Sequence, residues 1–281
     1  MSSRILTGKP AADAILEQLR IDVAECNPHL AIVQVGKDDA SDAYIKRKLA
    51  ACADIGMRCT HHRLPHDITL HDLLKRIEQL NHDNDTTGFI IQTPLPDQLW
   101  NHMGEILSAI DPRKDVDGFT AQNVGKALQS IDGEVLPPAT PAGVIALFEH
   151  YDITIAGMHA VIVGRSNIVG KPLGFLLLNR SATVTLCHSK TVDLASHTRQ
   201  ADLLVSAVGQ PKLITADMVK PGAVIIDVGI TREEEGLTGD VDFDPVSQVS
   251  SAITPVPGGV GPMTVACLLR NCIRAARMHA R

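Results

Sequence analysis

The sequence predicts an α/β protein with a mostly parallel sheet, because apolar runs of strand length alternate with longer segments of helical period. The alternation occurs in both halves of the 281-residue chain, a length that suits about two domains. The second half shows it more clearly, with four apolar runs at the intervals of a doubly wound sheet: 160–164, 183–188, 202–209 and 223–229.

In the first half, two apolar runs at 31–36 and 88–92 predict buried strands. Between them we expect a helix over 41–54, an edge strand near 57–64, and a second helix that Thr69 opens. Six prolines then predict a long connection to the second half: Pro94, Pro96, Pro112, Pro137, Pro138 and Pro141. The chain ends in a Gly/Pro turn and a helix with an apolar stripe, which we expect to pack on the first domain.

Composition excludes several classes of protein. The net charge of −6, the dispersed cations and the 3% aromatic content argue against a nucleic-acid partner. No apolar stretch approaches the ~18 residues that a membrane span needs, so a soluble cytoplasmic protein is expected. The six cysteines form no CxxC pair and are typical of buried thiols in a reducing compartment, which predicts neither disulfides nor a metal site.

The segment VIVGRSNIVGKPLGFLL predicts a strand that ends at Gly164 and a helix that starts near Pro172. Such a turn can hold a phosphate, because glycine permits close backbone approach and a helix N-terminus presents unpaired N–H groups. The spacing is not GxGxxG, so the segment alone is equally compatible with a plain strand-to-helix turn. Arg165 and Ser166, just past the strand end, favour an anion.

The next strand runs into CHSKT, where a fold selecting NAD normally presents an acidic residue to the ribose. This loop has no carboxylate and offers His188, Ser189 and Lys190 instead. A 2′-phosphate would therefore be accepted, which predicts NADP rather than NAD. The alternative interpretation is a polar surface loop.

Four polar residues of the first half are candidates for a site. Tyr44 and Lys48 share one face of the predicted helix, as a platform for a flat substrate or, more commonly for a single pair, as a solvated lysine beside a half-buried ring. Gln92 and Asp117 follow apolar strands. Either can simply cap a turn, although α/β proteins commonly carry functional groups on such loops.

The chain resembles the methylenetetrahydrofolate dehydrogenase/methenyltetrahydrofolate cyclohydrolase family over nearly its whole length. Each matching string is weak alone, but their ordered conjunction is specific: YIKRK, GFIIQTPLP, KDVDGF, TPAGV, VGRSNIVGKP, CHSKT, DVGI, GDVDF and PVPGGVGPMT. The resemblance implies two α/β domains flanking a cleft, the second a Rossmann-type doubly wound parallel sheet, and a homodimer formed through that domain. The expected domains are a folate-binding catalytic domain, 1–138 plus 256–281, and an NADP-binding domain, 139–255.

The resemblance also implies roles for individual residues. Tyr44 would stack beside the folate, Lys48 would be the catalytic lysine of a YxxxK motif, and Gln92 would hydrogen-bond near it. Asp117 would accept hydrogen bonds from the pterin ring. The remaining implied contacts are Pro257, Gly258 and Gly259 with folate, and Gly164, Arg165, Ser166, Ser189 and Ile230 with the nicotinamide cofactor.

The activity implied is NADP-dependent oxidation of 5,10-methylenetetrahydrofolate to 5,10-methenyltetrahydrofolate, followed by hydrolysis to 10-formyltetrahydrofolate. Two alternatives stay open. One is a monofunctional dehydrogenase on the same scaffold, against which Lys48 and Gln92 argue. The other, from a different class, is a non-catalytic NADP-binding interaction protein.

Overall fold

The computed structural model describes residues 3–129, 135–234 and 236–280. The chain forms two compact units. One comprises 14–139 and 265–281 and is called the small-sheet unit; the other comprises 1–13 and 140–264 and is called the large-sheet unit. The predicted domain limits differ from these divisions and stay a prediction.

Strands and helices alternate along much of the chain. The strands, in chain order, are β1 (Arg4–Ile5), β2 (His29–Val35), β3 (Arg58–Leu64), β4 (Gly88–Ile91), β5 (His159–Val163), β6 (Thr183–Cys187), β7 (Leu203–Ser206), β8 (Val224–Asp227), β9 (Thr231–Glu233), β10 (Gly236–Thr238) and β11 (Ala252–Ile253). The α-helices are α1 (Gly8–Cys26), α2 (Asp39–Asp54), α3 (Leu70–His82), α4 (Asp97–Trp100), α5 (Met103–Ser108), α6 (Ala121–Leu128), α7 (Ala139–His150), α8 (Gly170–Leu178), α9 (Leu194–Thr198), α10 (Phe243–Val249) and α11 (Val260–His279). None of these helices is both long and apolar enough to span a membrane within the described ranges.

The small-sheet unit contains a three-stranded parallel sheet in the order β3-β2-β4. Strand β2 lies in the middle and is buried along its whole length, as its nearly continuous apolar sequence predicts. The predicted edge strand is confirmed, since β3 pairs with β2 alone in this sheet. Helix α3 begins as predicted, because the Thr69 hydroxyl oxygen accepts a hydrogen bond from the N–H of Asp72 at 3.1 Å.

The predicted long connection between the halves is wrong in part, because it contains helices α4, α5 and α6 and the start of α7. Its prolines mark helix N-termini as well as loops: Pro96 is the N-cap of α4 and Pro141 lies in the first turn of α7. Proline is tolerated there because the first N–H groups of a helix have no intrahelical partner. Strand β1 and helix α1 were not predicted from the sequence.

Helix α3 packs its apolar face on the small sheet. Ile77 is fully buried in a cluster that includes Val33 and Phe89 from the sheet. Replacing Ile77 with Ala should lower the free energy of unfolding by about 2–5 kcal/mol, since truncation removes apolar contacts and leaves a cavity. The measurement is urea denaturation followed by far-UV circular dichroism. Glu78→Ala, on the exposed face of the same helix, is the control and should change the free energy of unfolding by less than about 0.5 kcal/mol. An equal effect of the two substitutions would contradict the assignment of Ile77 to the core.

The large-sheet unit contains six parallel strands in the order β1-β11-β8-β7-β5-β6. Strand β5 has β6 on one side and β7 on the other, so the strand order reverses at β5. In open α/β sheets, ligands bind outside the carboxyl ends of the strands at such a reversal. The loop that starts at Gly164 therefore lies where a nucleotide would bind.

Candidate active site

In the small-sheet unit, helix α2 and strand β4 bring Lys48 and Gln92 together. Lys48 is only 8% exposed, and its Nζ donates a hydrogen bond to Oε1 of Gln92 at 3.0 Å. The amide of Gln92 is oriented by a second bond, in which its Nε2 donates to the carbonyl of Thr93 at 2.8 Å. The interpretation of Lys48 as a solvated surface lysine is wrong, because its side chain is buried and hydrogen-bonded to Gln92.

The surroundings of Lys48 favour the neutral amine. Burial lowers its pKa from the ordinary value of 10.5, and the nearby Asp117 carboxylate and the thiols of Cys59 and Cys52 partly oppose this. All six cysteines of the chain are free thiols. A lysine with a lowered pKa can accept a proton as well as donate one, so Lys48 is suited to general acid–base chemistry.

Asp117 has the opposite shift. Burial raises the pKa of its carboxyl to about 6, the neighbouring charge of Asp115 adds to the increase, and the charge of Lys48 opposes it. The carboxyl group therefore changes its protonation state close to neutral pH. Above pH 6 it is mostly an ionised group that can only accept hydrogen bonds.

Asp115 fixes the loop that carries Asp117. It is 1% exposed, and its two carboxylate oxygens accept four hydrogen bonds over 2.7–3.1 Å. The donors are the backbone N–H groups of Gly118, Phe119 and Thr120 and the side-chain amide of Asn123. Asp115 was not predicted as a site residue, although an Asp three residues before a Gly is a recognisable turn signal.

Two further features hold the same loop. Asn271, on α11, donates from its side-chain amide to the carbonyls of Val116 at 2.9 Å and Pro137 at 2.8 Å. Gly118 has a φ of +76°, and a Cβ there would lie 2.5 Å from the carbonyl oxygen of Leu136. Only glycine fits this position, so Asp117 is presented from a rigid turn.

Tyr44 lies one helical turn before Lys48 on α2 and is partly buried. Burial raises the pKa of its phenol, and the guanidinium of Arg47 lies 5.5 Å from the centre of the ring. At this distance the cation is attracted by the ring face. The phenol ring is therefore partly buried near Lys48, with a cation over one of its faces.

In the large-sheet unit, the predicted cofactor turn is tightly built. Gly164 has a φ of +127°, and a Cβ on Gly170 would lie 2.1 Å from the carbonyl oxygen of Gly164. The hydroxyl oxygen of Ser166 accepts hydrogen bonds from the N–H groups of Val169 at 3.1 Å and Gly170 at 3.3 Å. The serine therefore caps the start of α8, and among the described residues its O–H has no acceptor, while Arg165 is exposed beside it.

The loop after β6 is a short turn held by local hydrogen bonds. The N–H of His188 donates to the hydroxyl oxygen of Thr191 at 2.9 Å, and the N–H of Lys190 donates to Nδ1 of His188 at 3.1 Å. Ser189 and Lys190 are exposed at the carboxyl end of β6, next to β5 in the sheet. Hydroxyl and ammonium donors without a carboxylate fit a ribose 2′-phosphate.

The other predicted residues also belong to the large-sheet unit. Ile230 follows β8 at the carboxyl edge and is partly buried. Pro257, Gly258 and Gly259 follow β11, and the Gly258 carbonyl accepts a hydrogen bond from the N–H of Gly8 at 2.8 Å. The predicted folate contacts are thus divided between the two compact units, since Lys48 and its neighbours lie in the small-sheet unit.

The doubly wound sheet, with its glycine turn at the strand reversal, places the large-sheet unit among Rossmann-type nucleotide-binding domains. The buried group of lysine, amide and carboxylate gives the small-sheet unit the character of an enzyme domain. The chain belongs to the tetrahydrofolate dehydrogenase/cyclohydrolase family, whose catalytic domain matches residues 6–117 and whose NAD(P)-binding domain matches residues 138–280.

Individual relatives match along the whole chain. A protein of Campylobacter concisus (strain 13826) named bifunctional protein FolD is 49% identical over an alignment of 280 positions, which covers 98% of this chain and 98% of that protein. The crystal structure of bifunctional FolD from Campylobacter jejuni is similar with a TM-score of 0.94 and 44% identity, over 99% of this chain and all of that one. The Trypanosoma brucei enzyme, solved with NADP cofactor and an inhibitor, has a TM-score of 0.94 and 34% identity, over 100% and 99% of the two chains. The family and the α/β class predicted from the sequence are confirmed.

Proposed function

We propose that the protein oxidises 5,10-methylenetetrahydrofolate to 5,10-methenyltetrahydrofolate with NADP⁺ and then hydrolyses the product to 10-formyltetrahydrofolate. The observation that carries this proposal is the buried Lys48, with its Nζ held by Gln92 and its pKa lowered by burial. Hydrolysis needs a group that exchanges protons near neutral pH, whereas hydride transfer alone does not. Membership of the family over both domains supports the pair of activities.

In the oxidation, the chain's task is positioning. NADP⁺ supplies the acceptor for the hydride when it is bound. Gly164 and Gly170 permit a tight turn at the start of α8, and the positive end of the dipole of that helix favours the pyrophosphate. Arg165 and the free O–H of Ser166 add donors, Ser189 binds near the ribose phosphate, and Ile230 packs on the nicotinamide side. The NADP in the Trypanosoma brucei structure supports this choice of cofactor.

In the hydrolysis, water adds to the methenyl carbon between the two folate nitrogens. Lys48 accepts a proton from the attacking water and returns it to N5 as the carbon–N5 bond breaks. The hydroxyl on the carbon then loses its proton to solvent as the formyl C=O on N10 forms. Gln92 orients the amine without adding charge, since its oxygen accepts from Nζ. Tyr44 provides the stacking surface and Asp117 accepts hydrogen bonds from the pterin.

The proposal extends to residues and properties beyond these side chains. Pro257, Gly258 and Gly259 line the folate site, so that residues from 256 onward join 1–138 as the folate-binding domain and 139–255 binds NADP. The chain works in the cytoplasm, which the free thiols of its six cysteines support. It forms a homodimer and has no nucleic-acid partner.

One spectrophotometric assay tests the proposal. Methylenetetrahydrofolate is supplied with NADP⁺ or NAD⁺, and formation and decay of the methenyl absorbance are followed. We expect kcat/KM to be at least about tenfold higher with NADP⁺, because a charge-assisted hydrogen bond to the 2′-phosphate contributes about 1.5–3 kcal/mol. Arg165→Gln should reduce this preference.

The control for that variant is Lys220→Gln, which removes a cation just before β8, at the opposite end of the strands. It should leave the cofactor preference unchanged. Methenyl product that accumulates without hydrolysis would favour the monofunctional dehydrogenase. No turnover with either cofactor would favour the non-catalytic NADP-binding protein.

A further inference from the structure

Two buried carboxylates lie at the carboxyl edge of the large sheet, and the proposed mechanism does not use them. Asp227 is the last residue of β8 and is 3% exposed. Asp240, just after β10, is completely buried. Within the described residues, the six hydrogen bonds that they accept come from neutral N–H or O–H groups.

Asp240 fixes the loop that follows β7. Its Oδ2 accepts hydrogen bonds from the hydroxyl of Ser206 at 2.9 Å and from the N–H of Val208 at 2.8 Å. Its Oδ1 accepts from the N–H of Gln210 at 2.8 Å. Since β7 is the strand next to β5, this loop lies directly beside the glycine turn at Gly164.

Asp227 fixes the loop that follows its own strand. Its Oδ1 accepts from the N–H groups of Gly229 at 3.0 Å and Asp240 at 3.1 Å, and its Oδ2 accepts from the N–H of Val241 at 2.9 Å. Gly229 immediately precedes Ile230, the proposed nicotinamide contact. The carboxylate therefore sets the position from which Ile230 leaves the sheet.

Two glycines lie so close to the carboxylates that no larger residue fits at the glycine positions. A Cβ on Gly229 would lie 2.0 Å from Oδ1 of Asp240, and a Cβ on Gly239 would lie 2.0 Å from Oδ2 of Asp227. This close packing restricts the side chains of Asp227 and Asp240, and the loops that they hold, to a single conformation. A rigid support of this kind is what a ligand-binding loop needs to hold its contacts in place.

Burying two carboxyl groups side by side is costly. Burial raises the pKa of Asp227 to about 7, and the charge of Asp240 adds to the increase. An apolar pair would avoid this cost, but it could not accept backbone hydrogen bonds from three loops at once. The donors lie on the edge of the sheet where ligands bind, which indicates a role in the site rather than in stability alone.

We propose that Asp227 and Asp240 are positioning residues for the nicotinamide cofactor, which act by holding the loop after β7 beside the glycine turn and the loop after β8 beside the loop after β7. The inference rests on the proposed function and names residues that set how tightly its cofactor binds. The carboxylates touch the loops and not the cofactor, so their removal should change cofactor binding without removing a reacting group.

The test is Asp240→Asn, which keeps the shape of the side chain but turns an N–H₂ group toward backbone donors. The KM for NADP⁺ should rise at least about tenfold, because a buried carboxylate accepting several hydrogen bonds loses part of them. Hydrolysis of supplied methenyltetrahydrofolate needs no NADP⁺, so its kcat should stay within about twofold of wild type. Asp244→Asn, an exposed site of the same unit, is the control and should change neither value.

Ser206→Ala is the second variant, since it removes one of the three donors to Asp240 and leaves the carboxylate in place. It should raise the KM for NADP⁺ by about threefold to tenfold even if Asp240→Asn does not fold. An unchanged KM for NADP⁺ in the folded variants, or an equal loss in both reactions, would overturn the positioning role alone. A wild-type protein that does not reduce NADP⁺ would instead overturn the proposed function.

Discussion

Replacing Lys48 with Met is expected to abolish the cyclohydrolase activity while the chain stays folded and still binds NADP. The amine is the proposed proton carrier in hydrolysis, and such groups typically contribute about 10²–10⁴-fold to a rate. Methionine has a similar length and is suited to the buried position beside Gln92. The measurement is the decay of methenyl absorbance, with NADP binding followed by calorimetry.

The Lys48→Met substitution should not lower the free energy of unfolding, although it abolishes the cyclohydrolase activity. Because burial lowers the pKa of Lys48 in the folded protein, the unfolded chain binds more protons between that lowered value and 10.5. The free energy of unfolding of the wild type should therefore rise with pH across this window. In Lys48→Met this contribution disappears, and the variant should be at least as stable as wild type at pH 7.

The pH–rate profile gives a second readout of the same prediction. The wild-type cyclohydrolase rate should rise with pH as Lys48 loses its proton, with an apparent pKa below 10.5. Lys46→Met replaces an exposed lysine of the same helix and should change neither the rate nor its rise with pH. Hydrolysis at nearly the wild-type rate in Lys48→Met would show that another group carries the protons.

The sequence predicted those strands and helices whose pattern of apolar residues is visible within a short segment. Strands β2 and β4 and helix α3 follow from apolar runs and a threonine cap. The helices of the proline-rich segment were not predicted, because α4 and α5 have only 4 and 6 residues and are too short to show a period. Helix packing rather than local preference stabilises such short helices.

The candidate site was predictable only in part, for a related reason. The spacing of Tyr44 and Lys48 places them on one helical face, but the hydrogen-bond partner of the lysine is Gln92, 44 positions further along the chain. Asp227 and Asp240 stand in separate short motifs and come together only when the hairpin of β9 and β10 folds back. Long-range contacts of this kind leave no periodic signal in a single sequence.

Replacing Asp117 with Ala is expected to abolish detectable folate binding and, with it, both activities. One carboxylate serves both reactions because it would bind the pterin, which the substrates of both reactions contain. The loss should therefore appear as absent turnover in the two assays alike, and NADP binding should stay unchanged. A buried hydrogen bond to a charged group contributes about 1.5–3 kcal/mol, so the milder Asp117→Asn should raise the KM for folate about tenfold or more.

Because the pKa of Asp117 is raised, both the stability of the protein and its affinity for folate should depend on pH in a predictable direction. Its folded value of about 6 lies above the ordinary 3.8, so the carboxyl group favours folding at low pH and this contribution is lost as the pH rises through 6. Folate binding should follow the reverse course and weaken as the pH falls below 6, because the protonated group accepts fewer hydrogen bonds. Asp117→Asn should remove both dependences and be more stable than wild type at pH 8.

Asp67→Ala, an exposed aspartate between β3 and α3, is the matched control and should leave folate binding and both activities at wild-type level. Tight folate binding in Asp117→Ala would contradict the pterin role, since the loop offers no second carboxylate that could take it over. Asp115 is the nearest acid, but its oxygens already accept four hydrogen bonds from the turn. It cannot replace Asp117 without releasing the loop that both residues share.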